Sequence, residues 1–317
     1  MKSKKFWKNS FLYILLFFCL SYILFSFHYQ PVGWDSAVYV GMGKFIFSAG
    51  NTGVFEPMRP LLLPFLFGAL WKAGLSPILF GMVLEFLFAL GAIFLAYLIT
   101  KQAFGRKIAT ISSFILAFNF LFFFFSFKLY TEIPTIFFVL ASLYFFIIYR
   151  EREKKNIYLL LSALFTVLAF LTRYPALLIF LVTNFFLVKD MVEKKTKSIK
   201  SFFLFNFFTF MLILPYLIFN FFNYGSFFYF FSAAQNYYKE NLGSIYSIFA
   251  FKSGPHFLLP KTAWIYIGTI ALFFNALVPF LIYGFYRLGK EKKLFKENVM
   301  YILLPLAVFL SISSLHS

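Results

Sequence analysis

Four charged residues stand where a strongly apolar chain has little reason to keep a charge. Asp35 comes soon after the first apolar block. Arg59 sits in a Pro57-Met58-Arg59-Pro60 turn. Glu132 closes Tyr130-Thr131-Glu132 at the mouth of another apolar block, and Arg173 interrupts two more in Thr172-Arg173-Tyr174-Pro175. A carboxylate can take a proton from a hydroxyl nucleophile, and a guanidinium can clamp a phosphate with two parallel N–H bonds. Two acids and two arginines therefore offer a candidate base and candidate phosphate contacts. Each residue also has a plainer role. Asp35 could cap a helix, a role compatible with that of a base, and Arg59 could touch lipid headgroups. Glu132 is favoured at a helix N-terminus by the helix dipole.

Arg173 has two readings. The apolar stretches beside it, 157–171 and 175–188, hold 15 and 14 residues. As helices they reach about 21–23 Å, against a hydrocarbon core of ~30 Å. Either the Arg173 turn lies below the membrane surface, where a phosphate is a natural partner, or Lys154, Lys155 and Lys189 snorkel at the far ends and leave Arg173 at the headgroups. Glu85, inside another apolar block, has no partner that the sequence reveals. Tyr39, Tyr130 and His256 are accessory candidates near these residues. His256 could ligate a metal with an acid such as Glu56, but the expectation is no metal and no cofactor. No Gly-x-Gly-x-x-Gly, Walker loop, His-Glu-x-x-His or Cys/His cluster is present.

The elements that position these residues are membrane spans. With 62% hydrophobic residues, 55 of them Phe, and only 13% charged, the chain cannot cover a soluble surface. Nine spans are expected: 11–27, 77–99, 108–125, 133–149, 157–171, 175–188, 201–222, 263–283 and 299–315. The fold class is thus all-α, a polytopic helical bundle. Lys2, Lys4, Lys5 and Lys8 precede the first span and no small-residue cleavage site follows it, so it reads as an uncleaved anchor. Cys19 lies within it and reads as a packing residue.

The net charge of +18 follows the loops. Of the 29 Lys and Arg, 21 fall in segments 1–10, 101–107, 150–155, 189–200 and 287–296. By the positive-inside rule these are cytoplasmic, and so is the N-terminus. Nucleic acid is not an expected partner. The outer face receives two long segments, 28–76 and 223–262, together with Asp35, Glu56, Glu132, Glu240 and all three histidines (His28, His256, His316), so chemistry is expected there. Within 28–76, Asp35-Ser36 reads as a helix start. Val38, Met42, Phe45 and Ile46 give one apolar face, which predicts a short amphipathic helix lying on the membrane surface.

In this order the features resemble a family. An outer Asp35-x-x-x-Tyr39 is followed by Arg59-Pro60-Leu61-Leu62-Leu63-Pro64, then Leu129-Tyr130-Thr131-Glu132, then Leu171-Thr172-Arg173-Tyr174-Pro175. The pattern resembles the GT-C superfamily of integral-membrane glycosyltransferases, nearest to the protein O-mannosyltransferase-like and aminoarabinose-transferase-like groups. It covers residues 1–190, and the rest of 1–317 by architecture only. The resemblance implies transfer of a sugar from a polyprenyl-phosphate donor to a lipid, glycan or protein acceptor outside the cytoplasm. It assigns Asp35 to the catalytic acid and Glu132 to the second acidic position. Arg59 matches the basic residue of the Arg/Lys-Pro turn and Arg173 that of the Leu-Thr-Lys/Arg segment, both as phosphate contacts.

Two departures bear on this. Many relatives carry Asp-Glu where this chain has Asp35-Ser36. Relatives also continue past a helix end such as Leu315-His316-Ser317 into a His/Arg-Tyr motif and further spans, so the sequence reads either as a fragment or as a minimal member. Two other readings stand beside the transferase. One is a transporter or flippase of lipid-linked substrates, which Glu85 would serve. The other is an inactive assembly subunit.

Overall fold

The computed structural model describes residues 2–28, 30–151, 155–193, 198–233 and 236. The expected spans 263–283 and 299–315, His256 and most of 223–262 lie outside the described residues. Within them the chain is a helical membrane bundle with no strand. Pro77–Ala117, Glu132–Glu151, Tyr174–Val192 and Ile199–Tyr224 are long and apolar enough to cross a membrane. Outward faces carry exposed Phe17, Phe25, Phe203 and Phe207, as suits hydrocarbon.

Helix α1 (Lys2–Ser26) leads into α2 (Trp34–Phe47). The start of α2 is set by Gly33, and Ser36 serves as the capping side chain: Gly33 N donates to Ser36 Oγ at 3.3 Å, and Ser36 Oγ donates to the Pro31 carbonyl at 3.2 Å. Asp35 therefore sits inside the first turn, where the dipole favours it, and is not the cap.

The expected surface helix has a partner that the sequence pattern did not reveal. Residues Leu62–Lys72 form α3, which packs along α2. The two backbones touch where Gly43 meets Gly68. A Cβ on Gly43 would lie 2.5 Å from the Pro64 carbonyl oxygen and 2.6 Å from Gly68 N, so only glycine allows this approach. Pro64 is tolerated because it falls in the first turn of α3, where N–H groups have no helical acceptor.

Helix α4 (Pro77–Ala117) starts with Ser76 accepting from Leu79 N, and Pro77 at the first position. It breaks at Gly105, whose φ of 82° is the left-handed value that glycine accommodates. The chain folds back there. The Tyr22 ring meets Phe86 at 4.6 Å and Phe127 at 4.5 Å, residues from either side of the break. The two expected passages 77–99 and 108–125 are thus one hairpin, finished by α5 (Phe120–Phe125).

The remaining helices are α6 (Glu132–Glu151), α7 (Asn156–Thr172), α8 (Leu178–Val192, after a 3-10 turn at Tyr174–Leu177) and α9 (Ser198–Tyr224). Polar contacts join them in the apolar interior. Ser142 Oγ of α6 bonds Thr166 Oγ1 of α7 at 2.8 Å. Asn206 of α9 donates to Asn184 of α8 at 2.7 Å. Arg150 of α6 pairs with Asp190 of α8 at 3.0 Å at the end opposite the sequence-predicted site. Such bonds fix helix register where the hydrophobic effect gives no preference between helix and lipid.

Candidate functional site

Two loops and two helix starts meet at one end of the bundle. Backbone bonding pins segment 128–130 to segment 30–33: Leu129 N donates to the Pro31 carbonyl at 3.3 Å. The Tyr130 hydroxyl occupies the space a side chain at Gly33 would need. Leu61, just past Arg59, packs with Leu171 and Tyr174 against Phe170, Tyr216 and Phe230. These contacts bring the Asp35, Arg59, Glu132 and Arg173 segments together although they are spread over 139 positions.

Each arginine meets an acid. Arg59 Nη1 lies 2.9 Å from Asp35 Oδ1, and Arg59 Nε donates to Glu56 Oε2 at 2.6 Å. Tyr39, buried on α2, lies under the same guanidinium, with its ring centroid 5.3 Å from the Arg59 carbon and its hydroxyl accepting from Nη1 at 3.5 Å. The second pair is Arg173 Nη1 with Glu132 Oε1 at 2.7 Å, with Thr131 Oγ1 accepting from the same nitrogen at 3.4 Å. Exposure of the acids separates the two. The arginines are alike, 15% exposed at Arg59 and 12% at Arg173, but Asp35 is 40% exposed and Glu132 11%. Arg173 is thus enclosed by protein, and its partner in the chain is Glu132.

The tyrosines link the pairs. Burial pushes the Tyr39 phenol up, Arg59 pulls it part of the way back, and Asp35 and Glu132 both push it up again. The Tyr130 phenol is raised by burial first, then by Asp35 and Glu132. Both therefore stay neutral hydroxyls well past neutral pH, and each senses both acids. Burial works against the charge of Arg59, but Tyr39, Glu56 and Asp35 outweigh it and hold the guanidinium more firmly protonated than a free arginine.

Of the sequence-predicted residues, Asp35, Tyr39, Arg59, Tyr130, Glu132 and Arg173 share this end of the bundle; His256 lies outside the described residues. Among those described, no three of His, Cys, Asp and Glu are grouped so as to hold a metal ion. The sequence reading did not find Glu56 as the second partner of Arg59, although spacing by three was available as a signal.

The described residues thus form a bundle of apolar helices with paired acids and arginines at one end. The family model described as dolichyl-phosphate-mannose-protein mannosyltransferase matches residues 58–219, just over half of the 317, and the chain belongs to that family of glycosyltransferases. The match takes in Arg59, Glu132 and Arg173 and begins after Asp35. No curated protein and no solved structure matches the chain.

Proposed function

We propose that this glycosyltransferase moves a sugar from a polyprenyl-phosphate donor to a hydroxyl acceptor on the extracytoplasmic face, with Asp35 as base and Arg59 and Arg173 as phosphate contacts. The observation that carries the reading is the pairing of Arg59 with Asp35 and of Arg173 with Glu132 at one end of the bundle, with the Tyr39 ring under Arg59.

In the step, the acceptor oxygen forms a bond to the anomeric carbon as its proton passes to the Asp35 carboxylate. The bond from that carbon to the phosphate oxygen breaks, and its electron pair leaves with the lipid phosphate. A phosphate monoester is a good leaving group, so the protein's task is to position the acceptor and to meet the charge of the departing phosphate. Arg59 and Arg173 are the cations available for that charge.

The resting ion pairs imply an order. A partly exposed pair such as Arg59–Asp35 is worth about 0–1 kcal/mol and exchanges partners readily. An incoming phosphate that takes Arg59 also releases the Asp35 carboxylate, so the base becomes free as the donor arrives. The outward orientation rests on the basic segments 1–10, 101–107, 150–155 and 189–200.

The test is transfer from a radiolabelled polyprenyl-phosphate sugar by the purified protein in proteoliposomes. Transfer to an added hydroxyl acceptor is the expected result; neither transfer nor donor binding across a set of donor sugars would overturn the proposal. For the face, single cysteines at Asn51 and Lys101 in a Cys19→Ser background are offered a membrane-impermeant thiol reagent on cells. Asn51 should label from outside and Lys101 should not.

A further inference from the structure

Glu85 is a buried acid that the mechanism above does not use. It lies on the α4 stripe Gly81, Glu85, Ala89, Ala92, whose small residues let α6 come close. Two contacts fix the register of these helices. Gly81 abuts Leu129, and Gly91 abuts Phe137. As α4 and α6 run in the same direction here, Glu85 falls at the level of Glu132. The same neighbourhood appears in the electrostatics, where Glu132 is the charged group acting on Glu85.

Hydrogen bonding at this level is incomplete. Glu85 is 1% exposed and both its oxygens are without a partner. Glu132 uses Oε1 for Arg173, and its buried Oε2 has no partner either. These are three of the four such side-chain atoms among the described residues. Two buried carboxylates facing one guanidinium leave one charge unmatched, which an apolar interior does not tolerate. One proton removes the surplus charge and creates a donor for the orphaned oxygen. The other group facing Glu85 is Tyr22 of α1, whose hydroxyl is committed to the Met82 carbonyl at 3.3 Å. Closing the two acids takes rotation of the Glu85 side chain, which has three torsions.

We propose that Glu85 and Glu132 form one carboxylic acid–carboxylate pair holding a single proton, and that the hydrogen bond from Glu85 supports Glu132 when Arg173 leaves it for a phosphate. Glu85 is then a positioning residue, two side chains removed from the donor. Its effect on the donor rests on the function proposed above; the shared proton does not.

Infrared spectroscopy of the purified protein in lipid tests the pair without turnover. The wild type should show the carbonyl stretch of a protonated carboxyl group, lost in Glu85→Gln and shifted in Glu132→Gln. Absence of that band, or its persistence unchanged in Glu85→Gln, would overturn the proposal. Kinetics tests the role. Glu85→Leu should raise the donor KM on the order of ten- to a hundredfold, the value of a hydrogen bond to a charged group, and leave kcat near wild type. Glu85→Gln, whose amide still donates, should restore the KM. An unchanged KM in Glu85→Leu, or a Glu85→Gln variant no better than it, would overturn the positioning role. If the band behaves as described but no variant transfers sugar, the acid pair stands and the transferase reading falls.

Discussion

Arg59 meets Asp35 at 2.9 Å and Arg173 meets Glu132 at 2.7 Å, two ion pairs of nearly the same length at the same end of the bundle. Their surroundings differ. Arg59 is carried by a loop beside the α2–α3 pair, shares two carboxylates, and faces an acid open to solvent. Arg173 lies between α7 and the 3-10 turn and faces an acid at the start of α6, both largely buried. Water screens the first pair and leaves it free to trade partners, while the second is held by the cost of separating charges in an apolar medium. The pairs thus differ on the acid side: the Asp35 carboxylate is open to an incoming group, whereas Glu132 is enclosed with Arg173.

Removing the buried partner should have the largest effect on stability. Arg173→Ala leaves Glu132 with no cation and should cost about 3–5 kcal/mol, measured as a lowered thermal unfolding midpoint in detergent. A loss no greater than that of Arg59→Ala would erase the distinction between the pairs. Arg59→Ala should change stability by about 1 kcal/mol or less, yet raise the donor KM by roughly tenfold or more, because it removes a phosphate contact. An unchanged donor KM would remove Arg59 from the binding role. Tyr39→Phe should be the mildest. It keeps the ring under the guanidinium and loses only a 3.5 Å hydrogen bond, so stability should fall by about 0.5 kcal/mol or less. A larger loss would mean that the hydroxyl, rather than the ring, anchors Arg59.

Much of the bundle was legible because hydropathy reports spans directly. The expected spans 133–149 and 157–171 match Glu132–Glu151 and Asn156–Thr172 to within two residues at each end. The basic break at 101–107 marks the hairpin at Gly105. Helix α3 was not legible. It is 11 residues long, too short for a span, and follows a proline-rich turn; a close backbone contact with Gly43 holds it, and no local pattern encodes that contact.

In the site, the four charged residues stood out because a charge in an apolar chain needs a reason. Their partners did not, since partnership depends on how distant segments pack. Asp35 read as a helix cap, but Ser36 fills that role and the carboxylate is turned to Arg59. For Glu85 no sequence pattern pointed to Glu132, because only the register of α4 against α6 puts the two at one level.

Everything in the proposed mechanism turns on Asp35 as the base of a sugar transfer from a lipid phosphate. Asp35→Asn tests it most directly, since the amide is nearly isosteric, can still accept a bond from Arg59 through its oxygen, and cannot take a proton. The measurement is initial transfer rate from a radiolabelled polyprenyl-phosphate sugar in proteoliposomes, with donor binding followed in the same preparation. The account predicts a rate lower by roughly 10²–10⁴-fold with donor affinity unchanged or higher. Transfer within a few-fold of wild type would contradict it and reduce Asp35 to the counter-ion of Arg59.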